Sequence, residues 1–172
     1  MELGAGNGRD LRYFEAQGYR VRGVDCAGDV PAKQLASLRA LQIECQDAFD
    51  FLKELETETV DVVYSNLFYN MDFSETEHHA MFREVQRALR PGGHHFYSVR
   101  TTLDRWYGRG IKKGPDTFDS TPEGTTMHFF SSEYASGLRA RAKLTLLDLE
   151  ELEKGQGDFP IRVIYVAEQR KD

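Results

Sequence analysis

The sequence has no surplus of basic residues and no long apolar run. Its 22 Lys and Arg face 28 Asp and Glu, a formal net charge of −6, so there is no overall basic field to grip a phosphate backbone. This disfavours a nucleic-acid partner, leaves only a local basic patch open, and favours a small-molecule partner. No stretch approaches the ~20 apolar residues of a membrane-spanning helix, and the first residues form neither a basic nor an apolar leader segment. The chain therefore reads as a soluble, cytoplasmic protein with no membrane partner. Cysteine is scarce as well. Cys26 and Cys45 lack CxxC or any other metal-ligand spacing, and they read as small buried residues instead of a disulfide or a zinc site. The pairs His78-His79 and His94-His95 make no natural chelate, because neighbours lie about 100° apart on a helix and on opposite faces of a strand. No metal is expected.

What the 172 residues do contain is enough for one core and a single domain over 1–172. Short β-branched runs alternate with amphipathic segments. "LRYFEAQG" predicts a helix with Leu11, Tyr13 and Phe14 near one side, stopping at Gly18, and "YRVRGVD" a strand with Tyr19, Val21 and Val24 in the core. "PAKQLASLRALQ" predicts a helix opened by Pro31, with Leu35, Leu38 and Leu41 on one stripe. "IECQ" is a brief strand, "DAFDFLKEL" a short helix capped by Asp47, and "VDVVYSN" a strand buried enough to be nearly all apolar.

The second half continues the pattern. "SETEHHAMFREVQRALRPGG" opens on a capping box, Ser74 with Glu77, carries Met81, Val85 and Leu89 on one face and ends at Pro91-Gly92-Gly93; the strand "HHFYSVR" follows. Residues 101–127 have little periodicity and are too long for an idle connection, which predicts a lid or substrate loop. In it, Trp106 and Tyr107 either wall off a substrate pocket or pin the loop to the core. "SSEYASGLRARA" is a helix, and "KLTLLDLEEL" with "FPIRVIYVAEQ" forms an antiparallel hairpin. The alternation predicts an α/β fold: a mostly parallel sheet with helices on both faces and an antiparallel C-terminal edge. Ligands of such sheets bind at the carboxyl ends of the strands.

The opening "MELGAGNGRD" falls at such an end. Glycines at 4, 6 and 8 let the chain bend sharply and let a ligand approach the backbone, while the helix starting near Arg9 aims free N–H groups at a carboxylate or phosphate. A dinucleotide fingerprint, G-x-G-x-x-G, would need glycine where Arg9 stands.

The Glu-x-Gly-x-Gly-x-Gly pattern instead resembles motif I of the class I, Rossmann-like S-adenosylmethionine-dependent methyltransferases. "YSNLFYNMDF" and "LRPGGHHFYSVR" resemble the family's segments after the fourth strand and at the fifth. "DRWYGRGIKKGPDTF" and "HFF" resemble the post-strand loop and helix entry of its small-molecule branch, which includes tellurite-resistance-type methyltransferases. The resemblance implies S-adenosyl-L-methionine as cofactor, held by Glu2, Gly4, Ala5, Gly6, Asn7 and Gly8 of the turn. It adds Asp25, with its neighbour Cys26, for the ribose hydroxyls, and Asp47 and Ala48 beside the adenine. Asn66 would line the crevice. Asp25 also reads as a turn residue, and Asp47 equally as a helix cap. Asn66-Leu67-Phe68-Tyr69 has the spacing of the Asn-Pro-Pro-Tyr signature of amino-group methyltransferases but lacks both prolines.

The implied reaction is in-line methyl transfer to a small-molecule acceptor, helped mainly by holding donor and acceptor in contact and excluding water. If the acceptor must lose a proton, His128 and Tyr69 are the candidate bases; His128 also reads as a helix-entry residue with a satisfied ring. Two rival functions are a nicotinamide oxidoreductase, opposed by Arg9, and a nucleotide-binding regulatory module that transfers nothing. Only three residues precede Gly4, against about 5–6 in an ordinary strand. The expectation is that Met1 is an internal core methionine and that an N-terminal helix and part of the first strand are missing.

Overall fold

The computed structural model describes residues 1–25, 40, 42–119, 125–155 and 160–171. Cys26 and nearly all of the helix expected from Pro31 lie outside the described residues. In chain order the elements are β1 (Glu2–Leu3), α1 (Arg9–Ala16), β2 (Gly23–Asp25), β3 (Ile43–Cys45), α2 (Ala48–Glu54), β4 (Val60–Asn66) and a 3-10 turn (Phe68–Asn70). Then come α3 (Glu75–Ala88), β5 (Leu89–Arg100), β6 (Ile111–Gly114), β7 (Thr117–Asp119), β8 (Thr126–His128), α4 (Ser132–Arg141), β9 (Leu144–Lys154) and β10 (Ile161–Arg170).

Among the described residues, seven strands form one sheet in the order β3-β2-β1-β4-β5-β10-β9. The first five are parallel and β10 and β9 are antiparallel, which is the expected architecture. Local chemistry sets the helix ends. Asp47 accepts the N–H groups of Phe49 (2.8 Å) and Asp50 (3.1 Å) and so caps α2, while Ser74 and Glu77 form the reciprocal capping box of α3.

Among the described residues, the two faces of the sheet are covered unequally. On one, Phe51 and Leu52 of α2, Phe82 and Val85 of α3 and Leu138 of α4 pack on Leu3, Val63, Tyr97, Val99 and Ile164 in a single buried cluster. On the other, Ala5, Leu11 and Ile43 form a small cluster with Val21. Beside it a groove of about 1110 Å³ runs over Val62, Tyr64, Phe96, Tyr165 and Ala167, bounded by Leu11 and Phe14 of α1.

That asymmetry corrects several expectations. β4 is not buried throughout: Val62 is 36% exposed because it faces the groove. β2 is shorter than predicted, with Tyr19 exposed and Val21 only half-buried. Tyr13 is 63% exposed, so Leu11 is the buried residue of α1. Cys45 is also exposed, at the end of edge strand β3.

Residues 101–127 are more than a loop. β6, β7 and β8 form a separate three-stranded antiparallel sheet, short strands broken by turn residues that hide their periodicity. Arg100 grips buried Asp104 through two hydrogen bonds (2.8 and 3.1 Å), and Asp104 also accepts the N–H groups of Trp106 and Arg162. Tyr107 stacks edge-on to Phe118 and Phe129, so it pins this small sheet to the body. Among the described residues, no helix is long and apolar enough to cross a membrane.

Candidate active site

Parallel pairing brings the carboxyl ends of β1, β2, β3 and β4 to one edge: Leu3 lies beside Val24 and Ser65, and Asp25 beside Cys45. The glycine turn leaves from that edge. Its first amides are spent on β2, with Gly4 and Ala5 both donating to the Val24 carbonyl (2.9 and 3.0 Å). Gly4, Gly6 and Gly8 have φ of +68°, +54° and +75°, conformations that favour glycine. At Gly4 a Cβ would also lie 2.6 Å from the Phe68 ring, whereas at Gly6 it would meet nothing within 4 Å. The turn is closed below by Phe68 and open above Gly6.

Asp25 faces that opening. Its Oδ2 accepts the Gly6 N–H at 2.7 Å, and Oδ1 has no partner among the described residues. Asn7 is exposed and Gly8 buried at the entry to α1. Asp47 and Ala48 stand at the end of β3, where Asp47 caps α2 through Oδ1.

Beneath the turn lies a polar cluster that sequence reasoning missed. Asp10 accepts from Arg9 (2.6 Å), Tyr64 (3.1 Å) and Asn66 (3.4 Å), and Asn66 in turn accepts from Ser98 at 2.7 Å. Asn66 is thus at the expected strand end, but its amide ties α1 to β4 and β5. Arg9 holds the Asp10 carboxyl below its ordinary range. Glu2 is only 3% exposed and its Oε2 has no hydrogen-bond partner among the described residues. Burial, reinforced by Asp10, pushes its pKa up to about 7 against the opposing N-terminal ammonium, Arg9 and the Leu11 N–H. Next to Asn66, Leu67 has a φ of +62°, and its N–H is held by the Ser98 carbonyl at 2.9 Å. This is strained backbone at a strand end.

The two candidate bases fall in different places. Tyr69 is fully buried, with its hydroxyl 3.1 Å from His95 Nε2 and its ring against Phe82 and Tyr97. His95 and Tyr97 both reach buried Glu168. Tyr69 therefore belongs to a core network, and burial raises its pKa far above the ordinary phenol value. The expectation of a base at Tyr69 is corrected on that ground. His128 ends β8, and Asn70 of the 3-10 turn donates to its carbonyl at 2.6 Å.

Comparison with known proteins gives the family and the fold. Residues 1–97 match a methyltransferase-domain family, and the chain belongs to that family. Its fold is shared with an S-adenosylmethionine-dependent methyltransferase of Methanosarcina mazei at TM-score 0.83 and 18% identity, covering 99% of this chain and 91% of that one. A Burkholderia thailandensis 1,6-didemethyltoxoflavin N1-methyltransferase, solved with its substrate and S-adenosylhomocysteine, aligns at TM-score 0.68 and 18% identity over 99% of this chain and 70% of that one. A geranyl diphosphate C-methyltransferase of Streptomyces coelicolor aligns at 0.68 and 16% over 98% and 69%. No curated protein matches the chain. The protein is an S-adenosylmethionine-dependent methyltransferase of Rossmann-like fold. The residues present suit that cofactor: the space over Gly6 is where a Cβ would stand, and it adjoins the Asp25 carboxylate, whose Oδ1 has no partner among the described residues.

Proposed function

We propose that the protein methylates a small-molecule acceptor in the cytoplasm, as the small-molecule branch that includes tellurite-resistance-type enzymes does. The observation that carries this reading is the turn itself, open over Gly6 and faced by Asp25. The backbone of Gly4, Ala5, Gly6, Asn7 and Gly8 would cradle the cofactor, Asp25 would accept its ribose hydroxyls, and Asp47 and Ala48 would border the adenine. Glu2 and Asn66 would bound the crevice from beneath. When bound, the cofactor supplies a methyl group already activated on a sulfonium sulfur, so the chain's task is to position the acceptor and exclude water. The β6–β8 sheet is the element suited to the second task, since it leaves from the carboxyl end of β5. The small-molecule substrates named for the Burkholderia and Streptomyces enzymes support the same class of acceptor here.

The function is tested by incubating the protein with methyl-labelled cofactor and a cell extract. Label is expected in the small-molecule fraction, and label in protein or nucleic acid would contradict the proposal.

A further inference from the structure

His128 carries a buried ring nitrogen with no hydrogen-bond partner among the described residues. The residue is 7% exposed, and its Nε2 is the orphaned atom. Its other nitrogen is fixed. Nδ1 lies 2.9 Å from Thr117 Oγ1, and the Thr117 hydroxyl donates to the Pro115 carbonyl at 3.0 Å. With its own proton committed, Thr117 can only accept, so Nδ1 of His128 carries the N–H and Nε2 keeps a free lone pair. The neighbouring His78, whose ring centroid is 5.0 Å away, is locked the opposite way. Its Nε2 lies 2.8 Å from the Tyr69 carbonyl and must donate, leaving Nδ1 to accept from the Tyr134 hydroxyl at 2.9 Å. His78 has no unused nitrogen.

The groups around His128 keep it neutral. His78 and Glu75 face it from α3, Tyr134 from α4 and Asp116 from the turn before β7. Burial lowers its pKa below the ordinary histidine value and outweighs the two carboxylates. Aromatic rings pack on His128, with Phe130 at 5.2 Å and Tyr134 at 5.0 Å between ring centroids, so a ligand admitted beside Nε2 would meet flat apolar surfaces.

We infer that His128 Nε2 is the proton acceptor for an aromatic hydroxyl or thiol, the class of acceptor this methyltransferase takes. The inference rests on the functional reading above. The acceptor's proton moves to Nε2, the acceptor atom keeps the electron pair with which it takes the methyl group, and Thr117 and His78 act as positioning residues. His128 is 7% exposed on β8, so the proposal requires that this strand of the small sheet draw away from α3 to admit the acceptor. An acceptor that is already anionic would have no use for this nitrogen.

The test is nitrogen-15 spectroscopy of histidine-labelled protein saturated with S-adenosylhomocysteine, with binding of that ligand measured separately by calorimetry. Failure of calorimetric binding overturns the functional reading, whatever the histidine does. With binding intact, His128 is expected as the Nδ1–H tautomer at neutral pH. Phenol or thiophenol should shift its Nε2 resonance, while benzoate, with no proton to donate, should not. Thr117→Val should mix the tautomers, and His128→Asn should slow methyl transfer to the aromatic acceptor by about 100-fold or more. An Nε2–H tautomer, or an Nε2 unmoved by phenol and thiophenol, overturns the inference and leaves a buried water as that nitrogen's partner.

Discussion

Among the described residues, the two faces of the sheet differ in how they are packed. The face under α2, α3 and α4 is dry and continuous: Phe51, Phe82, Val85 and Leu138 are fully buried against β1, β4, β5 and β10. The face under α1 holds a small cluster and an open groove, with Phe96 still 38% exposed. Among the described residues, the larger buried cluster lies on the first. The glycine turn at the upper edge draws on both, being fastened to β2 by backbone bonds and to β4 and β5 through Asp10 and Asn66.

The largest expected effect follows directly. Phe82→Ala should cost about 3–5 kcal/mol, the usual range for a buried aromatic truncated in a packed core, whereas Phe96→Ala should change stability by no more than about 0.5 kcal/mol. Urea denaturation of the two variants measures the contrast, and similar losses would abolish the distinction between the faces.

Acid should separate the faces in a second way. His78 is buried neutral with a pKa lowered to about 4, chiefly by burial. The unfolded chain then binds more protons than the folded one below about pH 6.5. Stability from this group is complete above pH 6.5 and lost as pH falls toward 4, by about 3 kcal/mol for a shift of that size. Glu2, on the groove side, has the opposite sign. Its pKa is raised to about 7, so its contribution is present below about pH 4.5 and is lost as pH rises through 7. The two slopes oppose each other between pH 4.5 and 6.5. Glu2→Gln should unmask the histidine slope in a stability–pH profile, and a profile unchanged by that substitution would show that Glu2 is ionised normally.

A smaller effect is expected at the cap of α2. Asp47→Ala should lose about 1 kcal/mol, since Asp47 accepts two amide hydrogens there. Asp47→Asn should restore most of it in the same denaturation assay.

The parts of this architecture that were legible in the sequence are those fixed by local pattern. β4 occupies Val60–Asn66 as predicted, the Ser74–Glu77 capping box is present, and the hairpin closes the sheet. The β6–β8 sheet was hidden because its strands are three or four residues long and separated by turn residues. At the site, the glycines and Asp25 announce themselves by spacing from the end of a strand. Asp10, Tyr64 and Asn70 do not, because their roles exist only through contacts made across tens of residues. Tyr69 misled for a related reason: its spacing from Asn66 suits a known signature, yet the 3-10 turn rotates its side chain into the core.

The central claim is that the turn and Asp25 together hold the adenosyl cofactor. Calorimetric titration with S-adenosylhomocysteine tests it most directly, using wild type, Asp25→Asn, which can keep the Gly6 contact, and Asp25→Ala. Wild type should bind the adenosyl ligand and not NAD, and both variants should bind it about 10- to 100-fold more weakly, as loss of charge-assisted hydrogen bonds worth ~1.5–3 kcal/mol requires. Binding of NAD in its place, or undiminished affinity in both variants, would contradict the account.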